Sequence, residues 1–292
     1  MVIIGTIENK LAEAYAQHLQ DKISEFDVDS EIVVAKTSAG PNDGIESVID
    51  ELNRALLNKD IDVVVLPMEH LGSRKVDGLQ VAGLSERKSA NDVIISADKS
   101  ILDEGPLKLK EGTTVAVTSD LREALLEHYF NHVEPLRISG NILSQVEGLK
   151  AGKYDAVMTD KASLEWMNYV PENLFVRDLS PREFVPAPAQ GVLAFQCRSN
   201  DDSLKQLLAM VHRADVADLT NVERSILLKI DSDKPFVLGA YCEESGLNYR
   251  THAAFKEMED GAEMRVARAL HISTSELANS ILSELNTAET DA

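Results

Sequence analysis

The sequence predicts an α/β protein built from two α/β lobes with a cleft between them and a small α+β domain at the C-terminal end. Three observations support this prediction. Short β-branched runs alternate with amphipathic helical stretches through roughly the first two thirds of the chain, which is typical of parallel α/β sheets. A proline-rich segment, Phe184–Arg198, then ends in a further apolar run. Beyond Asn200 the order changes, because two helices precede three strands.

The first lobe is predicted from the spacing of its apolar residues. Leu11, Tyr15 and Leu19 recur at every fourth position, which indicates one apolar face of a helix. The β-branched run Ile61–Leu66 is typical of a central strand in a parallel sheet. The predicted elements are strand Val2–Thr6, a helix from near Asn9, strand Glu31–Lys36, polar loop Ser38–Gly44, helix Ile45–Leu57 and strand Ile61–Leu66.

The second lobe repeats the alternation of strands and helices. Ser119 or Asp120 is a suitable N-cap for one of these helices, since its side-chain oxygen can accept a hydrogen bond from a free backbone N–H. The predicted strands are Asp92–Ser96, Thr113–Thr118, Leu136–Ser139, Tyr154–Thr159 and Leu174–Leu179. The predicted helices are Leu121–Phe130, Ile142–Ala151 and Lys161–Tyr169.

The segment Phe184–Arg198 is predicted to return the chain to the first lobe. Pro186 and Pro188 keep it extended, Gln190-Gly191 forms a tight turn, and Val192–Cys197 is an apolar strand. The expected domains are therefore 1–86 with 182–198, 87–181, and 199–292. The third has predicted helices Asp202–His212, Ala217–Ile230 and Ser273–Leu285, the last capped by Ser273 or Thr274, and predicted strands Phe236–Tyr241, Leu247–Lys256 and Glu263–Ala269.

The composition argues against several classes of function. A net charge of −20 over 292 residues repels nucleic acid and anionic membranes. Two cysteines, Cys197 and Cys242, cannot form a disulfide framework. Because neither a basic leader nor a run of roughly 18 apolar residues is present, we expect a cytoplasmic protein with no membrane partner. Metal-binding and nucleotide-binding motifs are also absent, so we expect no metal.

Several short motifs resemble those of the hydroxymethylbilane synthase (porphobilinogen deaminase) family. The run FVPAPAQGVLAFQCR is similar to the family's PAxGQGxLGIECR segment. Further similarities follow in the same order along the chain: Ile4-Gly5-Thr6 with Leu11-Ala12, Ile61–Val65, Thr118-Ser119 with Leu121-Arg122, Gly140-Asn141, His212 with Glu223-Arg224 and Leu228, and Leu238–Tyr241. The resemblance implies two hinged lobes like those of periplasmic binding proteins, a third domain that carries a dipyrromethane cofactor on a cysteine, and a monomer that polymerises porphobilinogen in tetrapyrrole biosynthesis.

The chain departs from the family at the positions that the chemistry uses. Lys234 occupies the position of the cofactor cysteine, and a lysine cannot form the thioether, so we expect no cofactor. His70 stands at the position of the catalytic aspartate, and Glu69 at that of its lysine neighbour. The glycine-lysine loop of the first domain is shortened to Gly40–Ile45.

The family's carboxylate-binding cations are also substituted. Of six cationic positions that the resemblance implies, only Arg122 is basic in this chain. The other five are Ile7, Glu69, Glu123, Ser139 and Gln145. Five lost charge-assisted contacts would remove roughly 7–15 kcal/mol of gross interaction, so the family's polycarboxylate ligands should not bind in the family's manner.

The remaining candidate site residues each have a structural alternative. His70 is either a replacement acid or base, or a structural residue. Lys234 is either a Schiff-base lysine or a solvated loop residue. Arg122, with Thr118 and Ser119, is either an anion site at a helix N-terminus or a cap beside a surface arginine. The other candidates for substrate or anion binding, which ordinary turns also explain, are Gly140, Asn141 and Gln190.

The sequence favours two functions over a third, an α/β enzyme with a new reaction around Glu69, His70 and Arg122. The first is a protein of the tetrapyrrole pathway whose porphobilinogen-polymerising site is largely substituted and whose catalysis is impaired. The alternative is a non-catalytic binding or regulatory module on the same scaffold, with a small molecule, tetrapyrrole-like or otherwise, in the cleft between the lobes. The sequence does not decide whether the chain is an enzyme.

Overall fold

The computed structural model describes residues 1–35, 45–72, 75–102, 109–230 and 232–287. The predicted loop Ser38–Gly44, and with it most of the shortened loop Gly40–Ile45, lies outside these residues. The chain divides into two compact units. The first unit comprises 1–88, 165–168 and 191–217, and the second comprises 89–164, 169–190 and 218–292.

The helices and strands alternate through most of the chain, as the sequence predicts. In chain order they are β1 (Val2–Thr6), α1 (Lys10–Ser24), β2 (Ser30–Val34), α2 (Ile45–Asn58), β3 (Val63–Pro67), β4 (Leu79–Leu84), β5 (Asp92–Ser96), β6 (Thr114–Val117), α3 (Asp120–Tyr129), β7 (Glu134–Arg137), α4 (Ile142–Lys150), β8 (Ala156–Asp160), α5 (Lys161–Trp166), β9 (Phe175–Asp178), β10 (Leu193–Arg198), α6 (Asp202–Met210), α7 (Ala214–Lys229), β11 (Phe236–Ser245), β12 (Asn248–Glu257), β13 (Arg265–His271) and α8 (Leu277–Thr287).

The first unit contains a five-stranded sheet with the order β2-β1-β3-β10-β4. β1 runs parallel to β2 and β3, but β10 runs antiparallel to β3 and β4. The sheet is therefore mixed rather than parallel, because β10 enters it from a distant part of the chain in the opposite direction. β4 was not predicted from the sequence; it lies at the edge of the sheet, where Val81 is 40% exposed, so its apolar pattern is weak.

The second unit contains a five-stranded sheet with the order β7-β6-β8-β5-β9. β6 is parallel to β7 and β8, whereas β5 is antiparallel to β8 and β9. β7 begins two residues before its predicted start and includes Pro135. A proline is tolerated there because β7 is an edge strand, where a missing N–H costs no ladder hydrogen bond.

A three-stranded antiparallel sheet, β11-β12-β13, also belongs to the second unit. One face packs on α7 and α8 through an apolar cluster that includes Leu238, Phe255 and Ile281. The opposite face contributes Val237 and Ala254 to the core of the preceding α/β region. The α/β class, with an additional small α+β region, is thus confirmed.

The terminal helix begins later than predicted. α8 starts at Leu277, whereas Ser273 and Thr274 were the predicted caps. Ser273 instead belongs to a turn, in which its hydroxyl accepts a hydrogen bond from Ser275 N at 3.2 Å. No helix in the described ranges combines the length and apolar character that crossing a lipid bilayer requires.

Candidate functional site

Several strands of the second unit bring chemically active side chains to one edge of their sheet. The parallel strands β6, β7 and β8 all end at this edge, where Thr118 follows β6 and Asp160 closes β8. The antiparallel strand β5 begins there, with Asp92 directly opposite Asp160. The edge at which parallel strands end is the usual ligand side of an α/β sheet.

Arg122, in the first turn of α3, is the centre of a polar cluster at this edge. Its Nη2 lies 2.9 Å from Asp92 Oδ1 and 3.9 Å from Asp160 Oδ2. The same Nη2 donates to Gln190 Oε1 at 3.3 Å, and Nη1 donates to Thr118 Oγ1 at 3.4 Å. We call these five residues the Arg122 network.

The Arg122 guanidinium is the one cation of its network and faces two carboxylates. The Asp92 side chain is only 2% exposed and that of Arg122 only 12%. Burial raises the pKa of Asp92, and the Arg122 guanidinium opposes this rise. Because two carboxylates face one guanidinium, an incoming ligand carboxylate would have to compete with Asp92 for the same N–H donors. The geometry therefore suits a structural ion pair better than an anion site.

The other candidates near this edge serve as helix caps. Ser119 Oγ accepts a hydrogen bond from Arg122 N at 3.2 Å and so caps α3, as the sequence predicts. Asn141 Oδ1 accepts from Ser144 N at 3.0 Å and caps α4. Gly140 has a φ of 106°, a backbone conformation that favours glycine, and its carbonyl accepts from Gln145 Nε2 at 3.0 Å.

Gln190 connects the Arg122 network to the turn before β10. Its amide Nε2 donates to Ala90 O at 2.9 Å and to Asp92 Oδ1 at 3.0 Å. The preceding Ala189 has a φ of 67° and donates its backbone N–H to Glu223 Oε2 at 2.6 Å. The buried Glu223 carboxylate also accepts from Cys242 N at 2.8 Å. Buried hydrogen bonds thus hold both the Gln190 side chain and the backbone that precedes it.

His70 lies in the first unit, in a short 3₁₀ turn, Met68–His70, directly after β3. The turn is held to β10 because Met68 N donates to Val192 O at 2.8 Å. The His70 side chain is exposed and that of Glu69 is half-buried. The end of β3 therefore presents an imidazole and a carboxylate where the family resemblance implies an aspartate and a lysine.

Lys234 lies in the second unit, on the surface beside β12. Its Nζ is 2.7 Å from Glu259 Oε2 and 3.4 Å from Glu257 Oε2. The hydrogen bond to Glu259 raises the pKa of Lys234, so the amine is protonated and a poor nucleophile.

Neither cysteine offers an accessible thiol in place of Lys234. The residue exposures of Cys197 and Cys242 are 0% and 1%. Burial raises the pKa of Cys197 to about 11, which suppresses the reactive thiolate. The residue at the attachment position that the resemblance implies therefore does not fit a thioether-linked group.

Two members of the Arg122 network, Asp92 and Asp160, were not predicted as site residues. The sequence predicts Asp92 as the first residue of a strand and places Asp160 between the predicted strand Tyr154–Thr159 and the predicted helix Lys161–Tyr169. The available signal was an acidic residue at the start of β5 and another at the end of β8. The pairing of these two strands is a tertiary contact that hydrophobic periodicity does not reveal.

Comparisons with known proteins identify the relatives of this chain. Residues 2–206 match a family model described as "Porphobilinogen deaminase, dipyromethane cofactor binding domain". The chain is 26% identical to the porphobilinogen deaminase of Streptococcus sanguinis strain SK36, over 89% of this chain and 88% of that protein. It is 27% identical to the porphobilinogen deaminase of Listeria monocytogenes serotype 4a strain HCC23, over 97% and 94%. The periplasmic VFT2 domain of Bordetella pertussis BvgS has 17% identity and a TM-score of 0.44, over 72% of this chain and 86% of that one, a similarity too low to support an inference.

The family match corrects one expectation. We expected no cofactor, because Lys234 stands at the attachment position. That expectation is wrong, because the matched domain, residues 2–206 of this chain, is described as a dipyrromethane cofactor-binding domain.

The family model covers more than two thirds of the 292 residues. The chain belongs to the porphobilinogen deaminase family.

Proposed function

We propose that this chain is a tetrapyrrole-pathway protein that holds a dipyrromethane-class ligand by non-covalent contacts, and that its porphobilinogen-polymerising activity is impaired. The family assignment supports the ligand class. The chemistry at the attachment position supports the non-covalent mode, because an ammonium group paired with Glu257 and Glu259 replaces the thiol. That substitution is the observation on which the proposal mainly rests.

Impaired polymerisation follows from two further changes. The resemblance implies an aspartate that stabilises cationic pyrrole intermediates, and His70 stands in its place. A cationic imidazole would repel such an intermediate, and a neutral one would lack the compensating negative charge. The family's carboxylate-binding arginines are reduced to Arg122, whose charge is already matched by Asp92.

The second candidate is a non-catalytic binding or regulatory module. The buried Asp92–Arg122 pair favours this candidate. An arginine whose charge is held in a structural ion pair stabilises the fold and takes no part in catalysis. In this case the protein would bind a small pyrrole and release it unchanged.

One experiment separates the two candidates. Purified protein is incubated with porphobilinogen, and the remaining substrate is measured with acidic p-dimethylaminobenzaldehyde while bound pyrrole is measured by equilibrium dialysis. The porphobilinogen deaminase of Streptococcus sanguinis serves as the active control. Slow consumption relative to this control supports the impaired enzyme, and reversible retention without consumption supports the binding module. Consumption at the rate of the control would refute the proposal, as would failure to retain any pyrrole.

A further inference from the structure

His252 is a buried imidazole that the described structure leaves without a hydrogen-bond partner. It lies in the middle of β12 and is only 4% exposed. Neither Nδ1 nor Nε2 has a hydrogen-bond partner among the described residues. Because an unsatisfied buried polar group destabilises a protein, two ring nitrogens without a hydrogen-bond partner indicate a partner outside the chain.

The neighbours of His252 are strongly cationic. Arg268 lies directly opposite His252 on β13, and Arg250 lies two residues away on the same face of β12. Directly opposite residues on paired strands are about 5 Å apart, and next-but-one residues on a strand about 7 Å apart, so both guanidiniums can reach the imidazole.

Arg250 and Arg268 differ in one respect from the third nearby arginine, Arg182. The Arg182 guanidinium is paired with Glu243, at 2.8 Å from Nε to Oε1. Within the described ranges, by contrast, the Arg250 and Arg268 guanidiniums take part in no ion pair or side-chain hydrogen bond. Arg268 is exposed and Arg250 is half-buried, so both can be approached from solvent.

The remaining polar groups around His252 do not satisfy its nitrogens. Tyr241 lies opposite it on β11, and the Tyr241 hydroxyl donates to Glu243 Oε2 at 3.3 Å. Tyr129 of α3 and Glu183 are the nearby groups from the α/β region, and the Arg268 charge acts on Tyr129. Glu243 is the carboxylate that acts on His252, and it is already paired with Arg182.

We propose that Arg250, Arg268 and the His252 imidazole bind a small oxyanion on this face of the β11–β13 sheet. A carboxylate or phosphate oxygen accepts the guanidinium N–H groups and one imidazole N–H. Protonation of His252 would add a second donor and a positive charge beside the anion. The site shares no residue with the Arg122 network or with Lys234, so it is independent of the proposed pyrrole-binding function.

The electrostatics of the site make binding depend on pH. Burial is the largest cause that lowers the pKa of His252, to about 4, and the Arg268 charge adds to it. A bound anion opposes both effects and raises the pKa. By linkage, the anion must bind more tightly as the pH falls from 7 towards 5.

The test uses the full chain and two simple anions. The ring signals of the seven histidines are recorded by NMR, and the His252 signal is assigned by its loss in His252→Gln. Inorganic phosphate and citrate are titrated separately at constant ionic strength, maintained with sodium chloride. We expect a saturable shift of the His252 signal with at least one anion, and the pair of titrations identifies phosphate or carboxylate as the preferred group.

Matched variants make the result specific. Arg268→Gln and Arg250→Gln should each weaken binding about tenfold or more, which is the loss expected for one charge-assisted contact. Arg54→Gln, an exposed substitution on α2, should leave the affinity unchanged. Arg268→Lys retains the charge and should bind better than Arg268→Gln, provided that circular dichroism shows both variants folded.

Two results would overturn the site. One is a His252 signal that neither anion moves, which would leave the imidazole as a residue hydrated by water alone. The other is a shift of equal size and affinity in wild type, Arg250→Gln and Arg268→Gln, which would show a general salt effect.

Discussion

The Arg122 guanidinium is paired with a buried carboxylate of its own unit. Asp92, at the first position of β5, faces it at 2.9 Å and is almost completely buried. A buried carboxylate of this kind depends on its counter-ion, because desolvation alone would strongly disfavour its ionised form. At the residue scale, the main role of Arg122 is therefore to stabilise the second unit.

Replacing Arg122 tests this role. We expect Arg122→Ala to lower the free energy of unfolding by about 3–5 kcal/mol, because it leaves Asp92 buried without its partner. Arg122→Lys should cost less, since it retains the charge but not the planar donor geometry. Urea denaturation measures both, with Arg54→Ala as the exposed control, expected within about 0.5 kcal/mol of wild type. Equal stabilities for Arg122→Ala and Arg54→Ala would contradict a structural ion pair.

Thiol chemistry gives a second test at the residue scale. With both cysteines buried, we expect a thiol reagent such as DTNB to label the native protein only slowly, and the denatured protein at two thiols per chain. Lys234→Cys is the matched positive control, because the Lys234 side chain is 51% exposed and should add one rapidly labelled thiol. Rapid labelling of the unsubstituted native protein would show that Cys197 or Cys242 is accessible after all.

His252 predicts part of the acid sensitivity of the protein. Its pKa of about 4 in the folded chain lies below its ordinary value of 6.5, so the unfolded state binds the proton more readily. The stability that neutral His252 contributes is fully present above about pH 6.5 and is lost progressively down to about pH 4, by on the order of 3 kcal/mol. His252→Gln should flatten the dependence of unfolding free energy on pH in this window. An unchanged pH profile would contradict the lowered pKa.

At the scale of elements, the segment before β10 is locked against β11 by backbone contacts. Ala240 N donates to Pro186 O at 2.8 Å, and a Cβ on the neighbouring Gly239 would collide with the Val185 carbonyl. Glycine is therefore required at this point of β11 for close backbone approach rather than for an unusual φ.

This close approach predicts a large effect from a single methyl group. Gly239→Ala should lower the free energy of unfolding by about 1–3 kcal/mol, because neither backbone segment can move aside cheaply. Gly72→Ala is the control, since a Cβ there meets nothing within 4 Å. Thermal unfolding of the two variants provides the comparison, and similar melting temperatures would contradict the contact.

The sequence predicted most elements because their signals are local. The four-residue spacing of Leu11, Tyr15 and Leu19 identifies α1, and the capping chemistry of Ser119 identifies the start of α3. The predictions failed where a distant segment decides the outcome. The antiparallel direction of β10 and the existence of the edge strand β4 both depend on pairing between residues far apart in sequence.

The candidate site was predictable only in part, for the same reason. Thr118, Ser119 and Arg122 could be grouped from sequence because they lie on one strand–helix connection. Asp92, Asp160 and Gln190 join them only through the sheet and the turn before β10. The sequence left open whether Arg122 binds an anion or lies on the surface beside a helix cap, and neither possibility included the buried ion pair with Asp92.

At the scale of the whole molecule, one substitution, at the attachment position that the resemblance implies, lies outside the part of the chain that the family model matches. The family model matches residues 2–206, and curated relatives align over most of the chain. Lys234 lies beyond the matched residues, in the region of the three-stranded sheet. The α/β framework does not depend on the identity of this surface residue, because the framework depends on apolar burial.

The most direct test of the account is the intact mass of the denatured protein after incubation with porphobilinogen. The Streptococcus sanguinis porphobilinogen deaminase, treated identically, provides the comparison. We predict that the chain keeps the mass calculated from its sequence, since Lys234 and the buried cysteines cannot form the thioether. A mass increase equal to one covalently attached dipyrromethane would contradict it.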